Sequence, residues 1–338
     1  MKIFFCTILL LLLQAFPTSP RASGRLPALA ASQSQTSVSG LSAGAFMAVQ
    51  YQVAYSGSVI GAGIVAGGPY YCATGLATSA ALCMGWMRPF EPVPQPMLLA
   101  TEYFASMGLI DPLDNLRHER IYIFSGQNDT VVVPPLVDAT AGFFRAAGVP
   151  AENIVYIKNI PAGHAMISPA YGGDCPANGG QFINHCDVDG TAYDQPGAIL
   201  EHIYGSLNPP ARKRTGKARS FNQREFSAGW TSLDADAHVY IPAICLREPG
   251  CRIHVAFHGC EQTQADVADA FYEKTGYNDW ADSNKIIILY PQLRRVGILN
   301  PLGCWDWTGY TGQNYAWRSG AQMSAVHAML TRLMSAPD

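Results

Sequence analysis

Two short motifs, and their order along the chain, constrain the fold of this sequence most. Residues 40–44 (GLSAG) have the form G-x-S-x-G, which is typical of a strained strand-to-helix turn that exposes a serine hydroxyl. Residues 258–260 (HGC) are similar to a loop that donates a backbone N–H to an oxyanion. Together they predict a serine hydrolase that works through a covalent intermediate.

The order of the motifs predicts a circular permutation. In an α/β-hydrolase the oxyanion loop follows an early strand and precedes the nucleophile. Here the HGC loop comes long after the serine. We therefore expect a circularly permuted α/β-hydrolase, in which a mostly parallel sheet is flanked by helices in a single domain.

Apolar segments alternate with helical patterns along the chain, as a mostly parallel sheet requires. The predicted helices cover 45–55, 136–147, 196–207, 264–282 and 315–333. The predicted strands cover 37–39, 59–66, 120–125, 153–160, 238–241, 252–257 and 285–290.

The N-terminus predicts export. Lys2 precedes an apolar run over residues 3–16, which is too short to span a membrane and suits a secretory signal. We expect residues 1–30 to be the signal peptide, cleaved after an A-x-A motif at 28–30. Cleavage near Ser23 and an uncleaved anchor are the alternatives.

Residues 31–338 are then expected to form the catalytic domain, with no separate substrate-binding domain. A permuted fold needs its original termini to be joined, and we expect that linker near 208–235. Residues 211–223 are the best candidate because they are polar, basic and without apolar periodicity, although a basic run is more often a solvated loop.

Charge is sparse in this chain. Charged residues make up 14% and the net charge is −3, whereas about 25% is usual. The chain therefore lacks the excess of basic residues that would predict a nucleic-acid partner. Sparse charge and sixteen tyrosines favour an apolar surface and a hydrophobic substrate, although a large core would have the same effect.

Cysteine usage also indicates an oxidising compartment. Cys6 leaves with the signal, and the remaining even number predicts disulfides. Eight cysteines allow about 105 pairings. Proximity favours Cys72–Cys83, Cys175–Cys186 and Cys245–Cys251, which leaves Cys260–Cys304.

Two metal sites are weaker alternatives. Cys175, His185 and Cys186 could bind zinc, but the chain has no C-x-x-C pair. Residues 187–190 (DVDG) are similar to the start of a calcium loop that lacks its twelfth-position glutamate. We therefore expect no metal.

The candidate catalytic residues follow the order Ser, Asp, His of α/β-hydrolases. Ser42 is the nucleophile candidate. Asp129 lies just after the predicted strand 120–125, where ligands meet an α/β sheet. Asp138 is the alternative acid, but it falls inside a helical pattern. His164 follows the predicted strand 153–160 and is the candidate general base.

The oxyanion donors are expected to be the N–H of Ala43, the residue after the nucleophile, and an N–H from residues 258–260. His258 itself is expected to be structural. Trp305 and Trp307 could each line an acyl pocket, and core packing is an equally good interpretation for either one.

At this point the residues resemble a known family. The segments SVSGLSAGAFMA, SGQNDTVV, PAGHA, HGCEQT, GYNDWAD, IIILYPQ and GCWDW are similar to those of the circularly permuted polyhydroxybutyrate depolymerases. The resemblance runs from about Ser37 to Leu333. It implies a triad of Ser42, Asp129 and His164, oxyanion donors at Ala43 and Cys260, and a substrate contact at Trp307.

The resemblance also implies hydrolysis of 3-hydroxyalkanoate esters, in polymer or oligomer, without a cofactor. The enzyme would be secreted or periplasmic, with no membrane span after signal cleavage, and would adsorb to polymer through its own surface. The sequence leaves oligomeric state open. The alternatives are another esterase, acting on feruloyl or acetyl groups, and a non-catalytic exported binding protein, which the intact motif set disfavours.

Overall fold

A central sheet organises the chain. The structure is a computed structural model that describes residues 24–75, 77–84 and 93–337. In this part of the chain the strands are, in order, Thr36–Leu41 (β1), Val59–Val65 (β2), Arg120–Phe124 (β3), Ile154–Ile157 (β4), Met166–Ile167 (β5), Gly173–Asp174 (β6), Ile183–His185 (β7), Asp187–Val188 (β8), Thr191–Ala192 (β9), Lys217–Asn222 (β10), Asp236–Ile241 (β11), Arg252–Phe257 (β12) and Ile286–Tyr290 (β13).

The helices flank this sheet. Those in the described ranges are Ala43–Ala54 (α1), Ala77–Cys83 (α2), Pro94–Ser106 (α3), Pro134–Ala146 (α4), Gln195–Tyr204 (α5), Gln264–Val267 (α6), Ala270–Lys274 (α7), Tyr277–Asn284 (α8) and Ala321–Met334 (α9). Short 3₁₀ helices lie at Leu113–His118, Ala151–Asn153, Gln223–Phe226 and Ala243–Leu246.

The eight-stranded sheet has the order β10-β11-β13-β12-β1-β2-β3-β4. All neighbours from β13 to β4 pair in parallel, and β10 and β11 are antiparallel to their neighbours. The predicted mostly parallel sheet in a single domain is confirmed. The first strand lies mid-sheet, between β12 and β2, and the circular permutation itself stays a prediction.

Opposite faces of the sheet carry different helices. Successive strand residues point to opposite faces. On one face Ser39 hydrogen-bonds Tyr277 of α8 at 2.6 Å, and an added Cβ on the adjacent Gly63 would lie 2.6 Å from Ile199 of α5. On the other face lies α1, all of whose residues are buried. Helices therefore cover β1 on both sides, as its wholly buried side chains require.

Two predicted helices differ from the structure. The predicted helix 264–282 is three short helices, because Ala268 (φ 53°) and Gly276 (φ 111°) interrupt it in the left-handed region. The last helix begins at Ala321 rather than 315, since residues before Gly320 form turns. Helices α2 and α3 were not predicted.

Within the predicted linker 211–223, Lys217–Asn222 form the edge strand β10, which was not predicted from the sequence. The linker itself stays a prediction. Only Phe221 of this strand is buried. An edge strand can expose charged side chains on a free edge, so its sequence lacks the apolar pattern by which strands are predicted.

Residues 24–31 pack into the fold. Leu26 and Leu29 are buried. The N–H of Leu29 donates to the carbonyl of Leu333 at 3.1 Å, and that of Ala30 to Ser335 at 2.8 Å. The segment is thereby attached to the end of α9.

The eight cysteines form the expected disulfides: Cys72–Cys83, Cys175–Cys186 and Cys245–Cys251, which proximity favoured, and Cys260–Cys304, the pair that remained. The alternative zinc site is wrong, since both of its sulfurs are consumed in one disulfide. The DVDG segment forms the β8–β9 hairpin. None of the helices in the described ranges has the length and apolar character that crossing a bilayer requires.

Candidate active site

Ser42 occupies a strained turn between β1 and α1. Its φ is 57° and its ψ −125°, a conformation that costs about 1–3 kcal/mol for a residue with a side chain. A Cβ on Gly40 would lie 2.2 Å from the carbonyl oxygen of Gly44, and one on Gly44 would lie 2.3 Å from that of Phe257. Both glycines of the motif are therefore required, because a side chain at either position would clash with nearby backbone atoms.

Asp129 and His164 form a buried pair. His164 Nδ1 lies 2.8 Å from Asp129 Oδ2, and the two side chains are 4% and 1% exposed. The other carboxylate oxygen accepts the N–H groups of Val131 and Val132, each at 2.9 Å. With Nδ1 donating to Asp129, Nε2 is left to accept a proton. Asp138 lies elsewhere, paired with Lys158 at 3.1 Å and 49% exposed.

Asn178 joins the aspartate and histidine loops, and sequence reasoning missed it. Its Oδ1 accepts the N–H groups of His164 at 2.9 Å and Thr130 at 3.0 Å. Its amide donates to the carbonyl of Asn128 at 2.8 Å. In the sequence it is an ordinary asparagine in a loop closed by a disulfide, so no local signal reveals it.

Ser42 and His164 open into one cavity of about 410 Å³. The pairing of β1 with β12 brings their carboxyl ends together, and this puts the HGC loop beside the serine turn. The residues that line the cavity are mostly apolar: Leu41, Ser42, Ala43, Phe46, Met84, Val131, His164, Asn178, Phe182, Gly259, Cys260, Glu261, Leu302, Cys304 and Trp307.

The two predicted oxyanion donors both lie on this cavity. Among the described residues, no backbone acceptor takes the N–H of Ala43 or of Cys260. The Gly259 N–H is instead occupied by Gln262 Oε1 at 2.7 Å, which orients the loop. Two free N–H groups beside a serine hydroxyl can bind a negatively charged oxygen.

His258 is buried next to this loop, and its burial favours the neutral imidazole. Its Nδ1 donates to the carbonyl of Gly259 at 2.7 Å, and its Nε2 accepts the N–H of Leu293 at 3.1 Å. Burial lowers the pKa of His258 to about 4. These contacts fit the structural role that we expected for His258.

The two tryptophans have different positions. Trp305 is 0% exposed and packs on Phe257 at 4.9 Å between ring centroids. The predicted substrate contact at Trp305 is therefore wrong, because it is a core residue. Trp307 does line the cavity, stacked on Phe46 at 4.7 Å.

Asp306, between the tryptophans, is a second residue that sequence reasoning missed. Its Oδ1 accepts three backbone N–H groups, from Thr308, Gly309 and Tyr310, and its Oδ2 accepts the N–H and hydroxyl of Thr311. Burial nevertheless raises its pKa. The carboxylate holds the loop that follows Trp307 in one conformation.

The fold is of the α/β-hydrolase type, and the site contains the three residue types of a serine hydrolase triad, at Ser42, Asp129 and His164. The chain is 41% identical over 323 residues to a poly(3-hydroxybutyrate) depolymerase of Delftia acidovorans, covering 94% of this chain and 63% of that protein. It is 35% identical to a polyhydroxybutyrate depolymerase of Talaromyces funiculosus, covering 93% and 94%. The chain thus belongs to the polyhydroxybutyrate (PHB) depolymerase family, and it spans less than two thirds of the Delftia relative.

Solved structures agree with this assignment. A serine-to-alanine variant of a PHB depolymerase complexed with an R3HB trimer has a TM-score of 0.83 at 31% identity, covering 92% of this chain and 98% of that chain. The PHB depolymerase from Penicillium funiculosum has a TM-score of 0.82, with the same identity and coverage. No protein-family model matches the chain.

Proposed function

We propose that this chain is an exported esterase that hydrolyses the ester bonds of poly(3-hydroxybutyrate) or its oligomers. The observation that carries the proposal is the buried Asp129–His164 hydrogen bond, whose histidine lines the same cavity as the strained Ser42. The relatives named as depolymerases and the neighbour complexed with an R3HB trimer support the substrate class.

The geometry supports a two-step acyl transfer. Ser42 Oγ attacks the ester carbonyl while His164 Nε2 takes its proton, and Asp129 stabilises the resulting imidazolium. The N–H groups of Ala43 and Cys260 bind the oxyanion. His164 then protonates the departing alcohol, and a water activated by the same histidine hydrolyses the acyl-enzyme. No step needs a cofactor.

The decisive experiment is a turbidity assay on a PHB suspension, with product analysis. We expect clearing and release of 3-hydroxybutyrate or its short oligomers. Turnover of feruloyl or acetyl esters without clearing would assign another esterase activity. Failure of a fluorophosphonate probe to label the protein would instead indicate a non-catalytic binding protein.

An apolar lip beside the cavity supports action on a solid substrate. Ile298 is 96% exposed, Leu299 58% and Leu302 42%, and Leu302 also lines the cavity. We propose that this lip, defined as Ile298, Leu299 and Leu302, contacts the polymer surface, because exposed apolar groups gain free energy when an apolar solid covers them.

The double change Ile298→Ser/Leu299→Ser is expected to weaken adsorption to PHB particles by at least about tenfold, since burying each side chain contributes about 1.5 kcal/mol or more. Hydrolysis of a soluble p-nitrophenyl ester should change less than twofold. Leu246→Ser is the matched control, because Leu246 is 45% exposed and lies before β12, at the opposite end of that strand. Equal loss on both substrates, or in the control, would contradict the role of the lip.

Export is also part of the proposal. Four disulfides are typical of secreted or periplasmic proteins. Leu26 and Leu29 are buried, and cleavage after residue 30 would remove both. We therefore propose cleavage near Ser23. N-terminal sequencing of the exported protein should find a start at about residue 24, and a start at residue 31 would contradict this.

A further inference from the structure

Glu261 lies on the wall of the cavity that contains Ser42 and His164, and the mechanism above does not use it. The residue follows the proposed oxyanion donor Cys260 directly, and both line the cavity. Its N–H donates to the carbonyl of Leu302 at 2.8 Å, so the backbone here is held against the lip. Its side chain is 46% exposed.

The charge of Glu261 is incompletely balanced. Arg295 is its ion-pair partner, at 3.6 Å. The same guanidinium lies closer to Asp266, at 2.7 Å, and also donates to it through Nε at 2.9 Å. One cation is therefore shared by two carboxylates. Among the described residues, the cavity lining contains no lysine or arginine.

A negative charge at this place discriminates between ligands of the proposed reaction. The internal ester of a polyester is neutral, whereas hydrolysis leaves a carboxylate on the acyl product. A soluble free-acid oligomer also carries a carboxylate at one end. Like charges within a Debye length, about 8 Å at physiological salt, repel each other.

We propose that Glu261 is a specificity-determining residue that disfavours anionic ligands: it weakens the binding of free-acid chain ends and of the acid product relative to neutral ester segments. The inference rests on the proposed esterase function. It assigns the site a preference for uncharged stretches of polyester and a means of releasing its product.

The test compares two soluble substrates, the 3-hydroxybutyrate trimer as free acid and as its methyl ester. Chromatography of the products measures cleavage of the ester bonds between hydroxybutyrate units. In the wild type we expect KM for the acid to exceed KM for the ester. In Glu261→Gln, which keeps size and removes charge, the ratio of the two KM values should fall about three- to tenfold. In 1 M NaCl, where the Debye length is about 3 Å, the wild-type ratio should fall toward that of the variant.

Glu248→Gln is the matched control. Glu248 is also half exposed and paired with one cation, Lys285, and it precedes β12 as Glu261 follows it. The same loss of charge there should leave the KM ratio unchanged.

An unchanged ratio in Glu261→Gln, an equal change in Glu248→Gln, or a ratio insensitive to salt would overturn the inference and leave the esterase function standing. A wild-type protein that clears a PHB suspension but cleaves neither trimer would overturn the inference alone. One that neither clears the suspension nor cleaves a trimer would overturn the proposed function and the inference together.

Discussion

Replacing Ser42 with alanine is expected to reduce ester hydrolysis to background, a loss of up to about 10⁶-fold in kcat, because the members of such a triad act as a unit. The backbone turn should survive, since close packing of Gly40 and Gly44 shapes it and alanine adds no atom to serine. The measurement is kcat on a soluble ester, with circular dichroism to verify the fold.

Ser324→Ala is the control for this experiment. Ser324 is exposed on α9, where its hydroxyl donates to the carbonyl of Ala321. It should retain wild-type turnover. More than a few per cent of wild-type activity in Ser42→Ala would show that another group is the nucleophile.

Asp129→Asn is expected to lower kcat by about 10⁴ with little change in fold, as in the serine-protease case. One carboxylate oxygen accepts the N–H groups of Val131 and Val132, and the single carbonyl oxygen of asparagine can keep both. Its NH₂ group then faces His164 Nδ1. The histidine must accept there, which moves its proton to Nε2 and blocks removal of the serine proton.

The matched substitution is Asp138→Asn. Asp138 is half exposed and paired with Lys158, and an exposed pair of this kind contributes about 0–1 kcal/mol. The kcat of Asp138→Asn should remain within about twofold of wild type. For both variants the measurement is kcat on a soluble ester. If the two outcomes were exchanged, Asp138 would be the catalytic carboxylate.

Several elements could be predicted because their signal is local. Arg252–Phe257 is a strand with the predicted bounds, since its apolar run reports burial directly. Helix 264–282 was predicted as continuous because nothing in its apolar pattern marks the left-handed backbone at Ala268. Strand β10 was missed since an exposed edge does not require apolar side chains.

The sequence by itself determined the serine turn and the order of the candidate triad, and it favoured three of the four disulfides by proximity. Each depends on neighbours in the chain or on a pattern that local backbone geometry demands. The tertiary structure alone decided which tryptophan lines the cavity, that Asn178 joins the loops of Asp129 and His164, and that Glu261 lies on the cavity wall with a shared counter-ion. These features depend on how the parallel strands align their carboxyl ends, because that alignment brings together loops that are far apart in sequence. The identity of a single residue does not predict that alignment.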